Sequence, residues 1–172
     1  MEKTINLYTL SYREARTNWM ALIFIAGNII LPQLCHLMTM GGPTWLPIYF
    51  FTLVGAYKYG WKVGLLTALA SPIVNHLLFG MPAEAMLPII LVKSTLLALA
   101  AGWMAQRTQK VTLPSLLAVV LAYQVLGTLG EWALTGSLHM ALQDFRMGYP
   151  GMLLQWIGGY LLLRVNAPSV RL

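Results

Sequence analysis

A single lysine, Lys93, lies in the middle of an apolar run that covers residues 87–103. The run consists of aliphatic and small residues, with no polar face that could turn an ammonium group to water. An ionisable group inside a membrane span costs about 3 kcal/mol on insertion scales, so it usually faces a partner or a cavity. We therefore predict that other helices surround Lys93 and that it helps to hold a ligand.

Further polar residues lie at similar depth in neighbouring apolar runs. At about 1.5 Å per helical residue, Lys93 lies about 13 Å, Gln155 about 9 Å and Glu131 about 7 Å inside their predicted spans, measured from one side. Asn75 and His36 lie closer to that same side. This gathering predicts a pocket that opens to one side of the membrane, not a continuous polar pore.

Lys93 and Glu131 can act in two ways. Either they form a mutual ion pair that only fixes the helix bundle, or one or both of them contact the ligand. If Lys93 is free to pair with the ligand, an anionic substrate is favoured. If Glu131 neutralises Lys93, that inference fails.

Aromatic and polar residues elsewhere extend the candidate pocket. Trp45 and Trp132 are included because an aromatic wall with a few polar groups is typical of small-ligand sites, although anchoring at the membrane interface is the alternative for each. Arg146 belongs to the segment 143–146, which forms either a lid or a solvated loop. The candidate substrate-binding residues are therefore Lys93, Glu131, Trp132, Gln155, Trp45, Asn75, His36 and Arg146.

The sequence lacks the residue sets that intramembrane catalysis usually needs. It has no H-E-x-x-H motif, no paired aspartates, and no serine and histidine in a protease arrangement. It has no Walker A motif, so any ATP hydrolysis belongs to another chain. The one cysteine, Cys35, stands beside His36, but two adjacent residues do not make a convincing metal site. We expect no enzyme activity, no metal and no cofactor.

The composition is that of a membrane protein. The chain has 172 residues, of which 58% are hydrophobic and 9% charged, whereas soluble domains are about 25% charged. A span needs about 20 apolar residues, so six spans fill the chain and leave no soluble domain. We predict an all-α, six-helix membrane bundle with spans at about 18–38, 45–59, 62–79, 84–105, 113–135 and 149–165. Residues 1–17 form either a helix on the membrane surface or a partly ordered tail.

The basic residues predict the orientation of the bundle. With six spans, nine of the eleven lysines and arginines fall on one side: Lys3, Arg13, Arg16, Lys58, Lys62, Arg107, Lys110, Arg164 and Arg171. Arg146 falls on the other side, and Lys93 lies within a span. The positive-inside rule then places both termini in the cytoplasm. The net charge is +6, but the basic residues are scattered singly between apolar runs and form no basic face. This argues against a nucleic-acid partner.

The stretch 31–102 contains a series of short motifs: Pro32 in the first span, Gly41-Gly42-Pro43, Leu46-Pro47, Tyr59-Gly60 followed by Gly64, Ser71-Pro72 and Gly80-Met81-Pro82. With these motifs it resembles the S component, the substrate-binding membrane subunit, of energy-coupling factor transporters. Six spans, both termini inside and a length near 170 residues also match that family.

The resemblance implies a subunit that binds a vitamin, a vitamin precursor or a related micronutrient from outside a prokaryotic cell. It implies docking in the plasma membrane on a T-component subunit that two ATPase subunits drive. It also implies a pocket formed by the first loop and spans four to six, with Trp45, Lys93, Glu131, Trp132, Gln155 and Arg146 at matching positions. The alternative is a membrane scaffold or assembly subunit that binds a protein partner through Gly- and Ala-rich helix faces, and an intramembrane enzyme is third.

Overall fold

The computed structural model describes residues 7–165, and in that range every regular element is a helix and there are no strands. This confirms the all-α prediction. The α-helices are α1 (Ala15–His36), α2 (Gly41–Trp45), α3 (Phe50–Tyr59), α4 (Trp61–Phe79), α5 (Leu87–Thr108), α6 (Leu113–Thr135), α7 (Leu138–Ala141), α8 (Gln143–Met147), α9 (Tyr149–Leu153) and α10 (Gly159–Val165). Short 3₁₀ turns, Pro47–Tyr49 and Glu84–Met86, lead into α3 and α5.

Within residues 7–165, four helical segments are long and apolar enough to cross a membrane: Ala15–His36, Trp61–Phe79, Glu84–Thr108 and Leu113–Thr135. Many large apolar side chains on them face outward, among them Leu22, Leu77, Leu99 and Leu129. Helices that are apolar on their outer faces are expected of an integral membrane protein.

A capping side chain fixes where α6 begins. Thr112 caps α6 through Oγ1, which accepts from the backbone N–H of Ser115 at 3.2 Å. This bond satisfies a donor that would otherwise lack a partner at the start of a helix. Glu14 precedes α1 and makes no such cap, because its Oε1 accepts a hydrogen bond of 2.8 Å from the backbone N–H of Ser11, which lies before the helix.

The elements α1, α3, α4, α5 and α6 alternate in direction, so the bundle has two ends. At the first end, the N–H of Tyr8 donates to the carbonyl of Lys58 (2.8 Å), and the hydroxyl of Tyr57 donates to the carbonyl of Lys110 (2.8 Å). We call this the basic end, since its helix termini and turns carry Arg13, Arg16, Lys58, Lys62, Arg107, Lys110 and Arg164. The opposite end holds the cavity described below and is called the cavity end.

Helix α3 is the centre of the bundle. Residues 52–57 are all buried, and the helix packs against α1, α4 and α5. A single residue, Gly60, joins α3 to α4 with a φ of +96°, in the region that favours glycine. Gly64 then faces Ala56 and Ala98 closely enough that a side chain there would collide with both. The small residues of α4 and α5 are therefore used for packing inside the bundle.

The first loop is more ordered than its sequence suggests. Met40-Gly41-Gly42-Pro43 predicts a loop, but α2 begins at Gly41, with Pro43 in its first turn, where a missing N–H breaks no helical hydrogen bond. Met40 (φ 57°) and Leu46 (φ 46°) flank the helix, and both have a left-handed backbone conformation. The chain thus reverses at Leu46, and Trp45 ends α2 instead of opening the next long helix.

Three further segments were left open or undivided by the sequence, and their described residues take definite forms. Residues 7–14 form no surface helix, because α1 begins only at Ala15, and residues 1–6 of the predicted 1–17 segment lie outside the described residues. The segment 136–148 contains α7 and α8, and α8 begins beside the cavity. The last helical stretch, 149–165, is interrupted by a π-turn over Leu154–Gly158.

A buried asparagine ties three helices together near α3. Asn28 of α1 donates from Nδ2 to Thr52 Oγ1 (3.0 Å) on α3 and to Ser71 Oγ (3.4 Å) on α4. Its Oδ1 accepts from the backbone N–H of Phe51 at 3.1 Å, in the first turn of α3. Asn28 therefore satisfies, from a neighbouring helix, a backbone donor that has no partner within α3.

Replacing Asn28 with alanine is expected to lower the free energy of unfolding by about 1–3 kcal/mol, because the N–H of Phe51 loses its acceptor in a buried site. Thermal unfolding in mild detergent measures the loss. Asn18→Ala, at an exposed position of the same helix, is the control and should change stability by about 0.5 kcal/mol or less. Equal effects of the two substitutions would contradict this role.

Candidate ligand-binding site

A cavity of about 270 Å³ lies at the cavity end of the bundle. It is enclosed by the end of α1, the first loop, the 3₁₀ turn before α3, the connection between α4 and α5, the first turns of α5, and α8. Its walls are mainly apolar: Pro32, Pro43, Leu46, Pro47, Ile48, Tyr49, Met81, Pro82, Ala83, Met86, Ile89 and Ile90. The polar lining residues are His36, Asn75, Lys93, Gln143 and Asp144. A small apolar chamber with a few polar groups is the usual form of a small-molecule site.

Lys93 lies at the inner side of this cavity and holds two carboxylates. Its Nζ lies 2.5 Å from Glu131 Oε2 on α6 and 2.8 Å from Asp144 Oδ2 on α8. The side chains of Lys93 and Glu131 are 2% and 4% exposed, and that of Asp144 is 14% exposed. We call these three residues the charged triad. Hydrogen bonds between ionised groups are short and strong, so the triad connects α5, α6 and α8 firmly.

A glycine on α6 makes room for the lysine side chain. At Gly127, a Cβ would lie 2.6 Å from Cγ of Lys93 and 3.3 Å from its Cδ. Gly127 is one helical turn before Glu131. The aliphatic part of the Lys93 side chain therefore packs against Gly127, and its Nζ reaches the carboxylate of Glu131. The spacing of Gly127 and Glu131 thus brings the buried pair together.

The pairing bears on the two roles considered for Lys93 and Glu131. The mutual ion pair is present, and Lys93 also lines the cavity. A free Lys93 was the condition for an anionic substrate, and Lys93 is engaged by two carboxylates. That condition is therefore not met.

Two other candidate residues border the cavity. Asn75 is buried, and its Nδ2 donates to the carbonyls of Asn28 (2.9 Å) and Ser71 (3.1 Å), while Oδ1 accepts from Gln33 Nε2 at 3.3 Å. Both protons of its amide group are thus used within the protein. His36 is exposed and ends α1 at the cavity.

Three candidates lie away from the cavity surface. Trp45 is half-buried at the end of α2 and does not line the cavity, whereas its neighbour Leu46 does. Trp132 is 46% exposed on α6, a placement that suits contact with lipid. Arg146 is exposed, and its Nη1 lies 2.5 Å from Nε2 of His139. The structure brings none of the three onto the cavity wall.

Gln155 belongs to a separate buried polar cluster. Its Oε1 accepts from the hydroxyl of Tyr123 (2.7 Å), which in turn accepts from Gln124 Nε2 (3.1 Å). Four buried polar atoms of this region have no hydrogen-bond partner: Ser94 Oγ, Gln124 Oε1, Thr128 Oγ1 and Gln155 Nε2. Ser94 follows Lys93 along α5, so the cluster lies next to the charged triad. Buried polar atoms without partners are uncommon and mark sites that water or ligand can enter.

Sequence reasoning missed Asp144 as a partner of Lys93, and it missed Ser94, Gln124 and Thr128 altogether. Gln124, Thr128 and Glu131 are spaced at i, i+4 and i+7, which places them on one face of α6. This spacing was the available signal. Asp144 gave no such signal because its position depends on how the short helices α7 and α8 fold back over α5.

No group of three or more His, Cys, Asp or Glu side chains within residues 7–165 is placed to hold a metal ion. The charged triad and the cavity offer binding by charge, hydrogen bonds and apolar contact. Comparisons with protein-family models, with curated proteins and with solved structures found no match for this chain.

Proposed function

We propose that the protein is the substrate-binding membrane subunit of an importer of the energy-coupling factor type. It captures a vitamin, a vitamin precursor or a related micronutrient outside a prokaryotic cell. A T-component membrane subunit and two ATPase subunits supply the energy. The observation that carries the proposal is the cavity of about 270 Å³ at one end of the bundle, with buried charged groups at its inner side.

The distribution of charge supports the direction of uptake. Seven basic residues of the described range lie at the basic end, and only Arg146 lies at the cavity end outside the triad. By the positive-inside rule the basic end is cytoplasmic. The cavity then faces outside, as capture of an external nutrient requires.

The proposed topology has six crossings with both termini in the cytoplasm. Four of them are the long helices, and α3 and the stretch 149–165 are the two shorter ones. The alternating direction of these six elements supports this count, since each basic turn then lies on the same side.

The scaffold alternative relied on Gly- and Ala-rich helix faces that are free to bind a protein partner. Gly64 packs against Ala56 and Ala98, and Gly102 packs against Trp61. Because these faces are occupied inside the bundle, the described residues favour the transport proposal over the scaffold.

Ala83→Trp tests whether the cavity holds the substrate. Ala83 is exposed and lines the cavity, whereas Ala85 is exposed in the same connection but does not line it. We expect wild-type protein purified in mild detergent to release a vitamin-like compound, measured by mass spectrometry. Ala83→Trp should reduce its amount about tenfold or more, which corresponds to roughly 1.4 kcal/mol of binding free energy, and the control Ala85→Trp should leave it unchanged.

Two outcomes would count against the proposal. Equal amounts of compound in the wild type and Ala83→Trp would place the compound outside the cavity. A wild-type protein that releases no compound and also shows no thermal shift with a panel of vitamins would favour the scaffold function.

A further inference from the structure

We propose that the ligand of this cavity carries a positively charged nitrogen and that the carboxylate of Asp144 receives it. This inference rests on the proposed function, because it names the chemical class of the substrate that the same cavity binds. It replaces the anionic substrate that a free Lys93 would have favoured.

The first step is the charge of the triad. In their ordinary ionised forms, Lys93 contributes one positive charge, and Glu131 and Asp144 each contribute one negative charge, so the triad carries a net charge of −1. Within residues 7–165, Lys93 is the only basic group in a salt bridge with either carboxylate. A net charge held away from water is unfavourable unless a counter-charge compensates it.

Within residues 7–165, the surroundings of the triad supply no such counter-charge. Arg146, the other basic residue at this end, contacts His139 on the exposed side of α8. His36 lines the cavity, but it is exposed and makes no salt bridge with the triad. Glu84 is also exposed at this end and adds a further negative charge. A cation from outside is therefore attracted to this end of the molecule.

The second step identifies the carboxylate that the ligand meets. Asp144 lines the cavity and is 14% exposed, whereas Glu131 is 4% exposed and does not line it. Lys93 contacts Oδ2 of Asp144, which leaves Oδ1 for a ligand. Glu131 then acts as the permanent partner of Lys93, and Asp144 is shared between Lys93 and the ligand.

The third step is the cost of binding an anion. An anionic ligand would have to draw Lys93 away from two buried carboxylates, which would leave both of them unpaired. Asn75 cannot compensate, because its amide protons already bond to the carbonyls of Asn28 and Ser71. The site therefore disfavours an anion at the position where it attracts a cation.

The apolar walls specify the kind of cation. Tyr49, Ile89, Ile90 and several prolines surround the space in front of Asp144. A small hydrated metal ion would gain nothing from such walls, whereas an organic cation with a ring or aliphatic body buries apolar surface there. Protonated amines and quaternary nitrogen heterocycles fit this description.

Benzylammonium, benzyl alcohol and benzoate test the inference, since they share one ring and differ in charge. Their affinities for the purified protein can be compared by thermal shift and by equilibrium dialysis. We expect the wild type to bind benzylammonium about tenfold more tightly than benzoate, with benzyl alcohol between them. This ranking needs no variant, so it does not depend on folding of a mutant.

Asp144→Asn and Glu84→Gln sharpen the test. Asp144→Asn keeps the Lys93–Glu131 pair and makes the triad neutral, so we expect benzylammonium to lose about tenfold in affinity while benzyl alcohol changes by less than about twofold. Glu84→Gln removes a charge from the same end without touching the cavity lining, and the ranking should persist.

The inference is overturned if benzoate binds as tightly as benzylammonium, if Asp144→Asn keeps the preference for the cation, or if no probe shows a preference. Its failure is distinct from failure of the proposed function. An anionic compound released from wild-type protein would remove the charge inference and keep the transport function. No released compound and no response to a vitamin panel would remove the transport function.

Discussion

Lys93→Met is expected to lower the free energy of unfolding by about 3–5 kcal/mol, because it leaves Glu131 and Asp144 without their shared cation in a buried site. Methionine has nearly the length of lysine, so the loss reports charge more than volume. Chemical or thermal unfolding in mild detergent, followed by circular dichroism, measures it. The control is Lys62→Met at the basic end, where Lys62 lies over the rings of Tyr12 and Trp61, and about 1 kcal/mol or less is expected.

A triple variant separates the charge effect from a packing effect. Lys93→Met combined with Glu131→Gln and Asp144→Asn leaves no ionised group in the triad. It should regain about half or more of the lost stability, since neutral replacements of buried ion pairs are often tolerated. A stable Lys93→Met variant, or a triple variant as unstable as the single one, would show that the triad does not hold the helices together.

Gly102→Ala is expected to lower the free energy of unfolding by about 1–3 kcal/mol, because it forces α4 and α5 apart. A Cβ at Gly102 would lie 2.5 Å from Cβ of Trp61 and 2.8 Å from both its Cα and its backbone nitrogen. Backbone atoms at the start of α4 cannot move aside as a flexible side chain can. The same unfolding measurement applies.

Gly130→Ala on α6 is the matched control for Gly102→Ala. Its nearest neighbour would be Cγ1 of Val92 at 3.6 Å, an ordinary van der Waals contact. This variant should be unchanged or gain up to about 1 kcal/mol, because alanine loses less entropy than glycine in a helix. Similar losses at both glycines would show that close approach of α4 and α5 is not what Gly102 provides.

The long helices of the bundle could largely be predicted from the composition and from the apolar runs of the sequence. The predicted span 113–135 coincides with α6 (Leu113–Thr135). The predicted span 62–79 starts one residue later than α4 (Trp61–Phe79) and ends at the same residue. Residues next to each helix in the sequence determine these boundaries. Thr112 caps the start of α6, Gly136 follows its end, and Gly80 follows the end of α4. The burial of Lys93 also follows from the lack of a polar face on its run.

The site was less predictable because its contacts join residues far apart in the chain. Lys93 and Asp144 are separated by 51 positions, and their meeting depends on how the short helices α7 and α8 fold back over α5. Trp45 shows the same difficulty, since the reversal at Leu46 turns it away from the helix it was expected to open. Periodicity describes the faces of one helix and contains no information on such folding back.

The shortness of α3 has a consequence for how the chain enters the membrane. Its ten residues extend only about 15 Å, about half the thickness of the hydrocarbon core. A segment this short is a poor substrate for insertion on its own, but Gly60 alone separates it from α4. We therefore expect the two helices to enter the bilayer as one hairpin during biosynthesis, with α1 and α5 packing against α3.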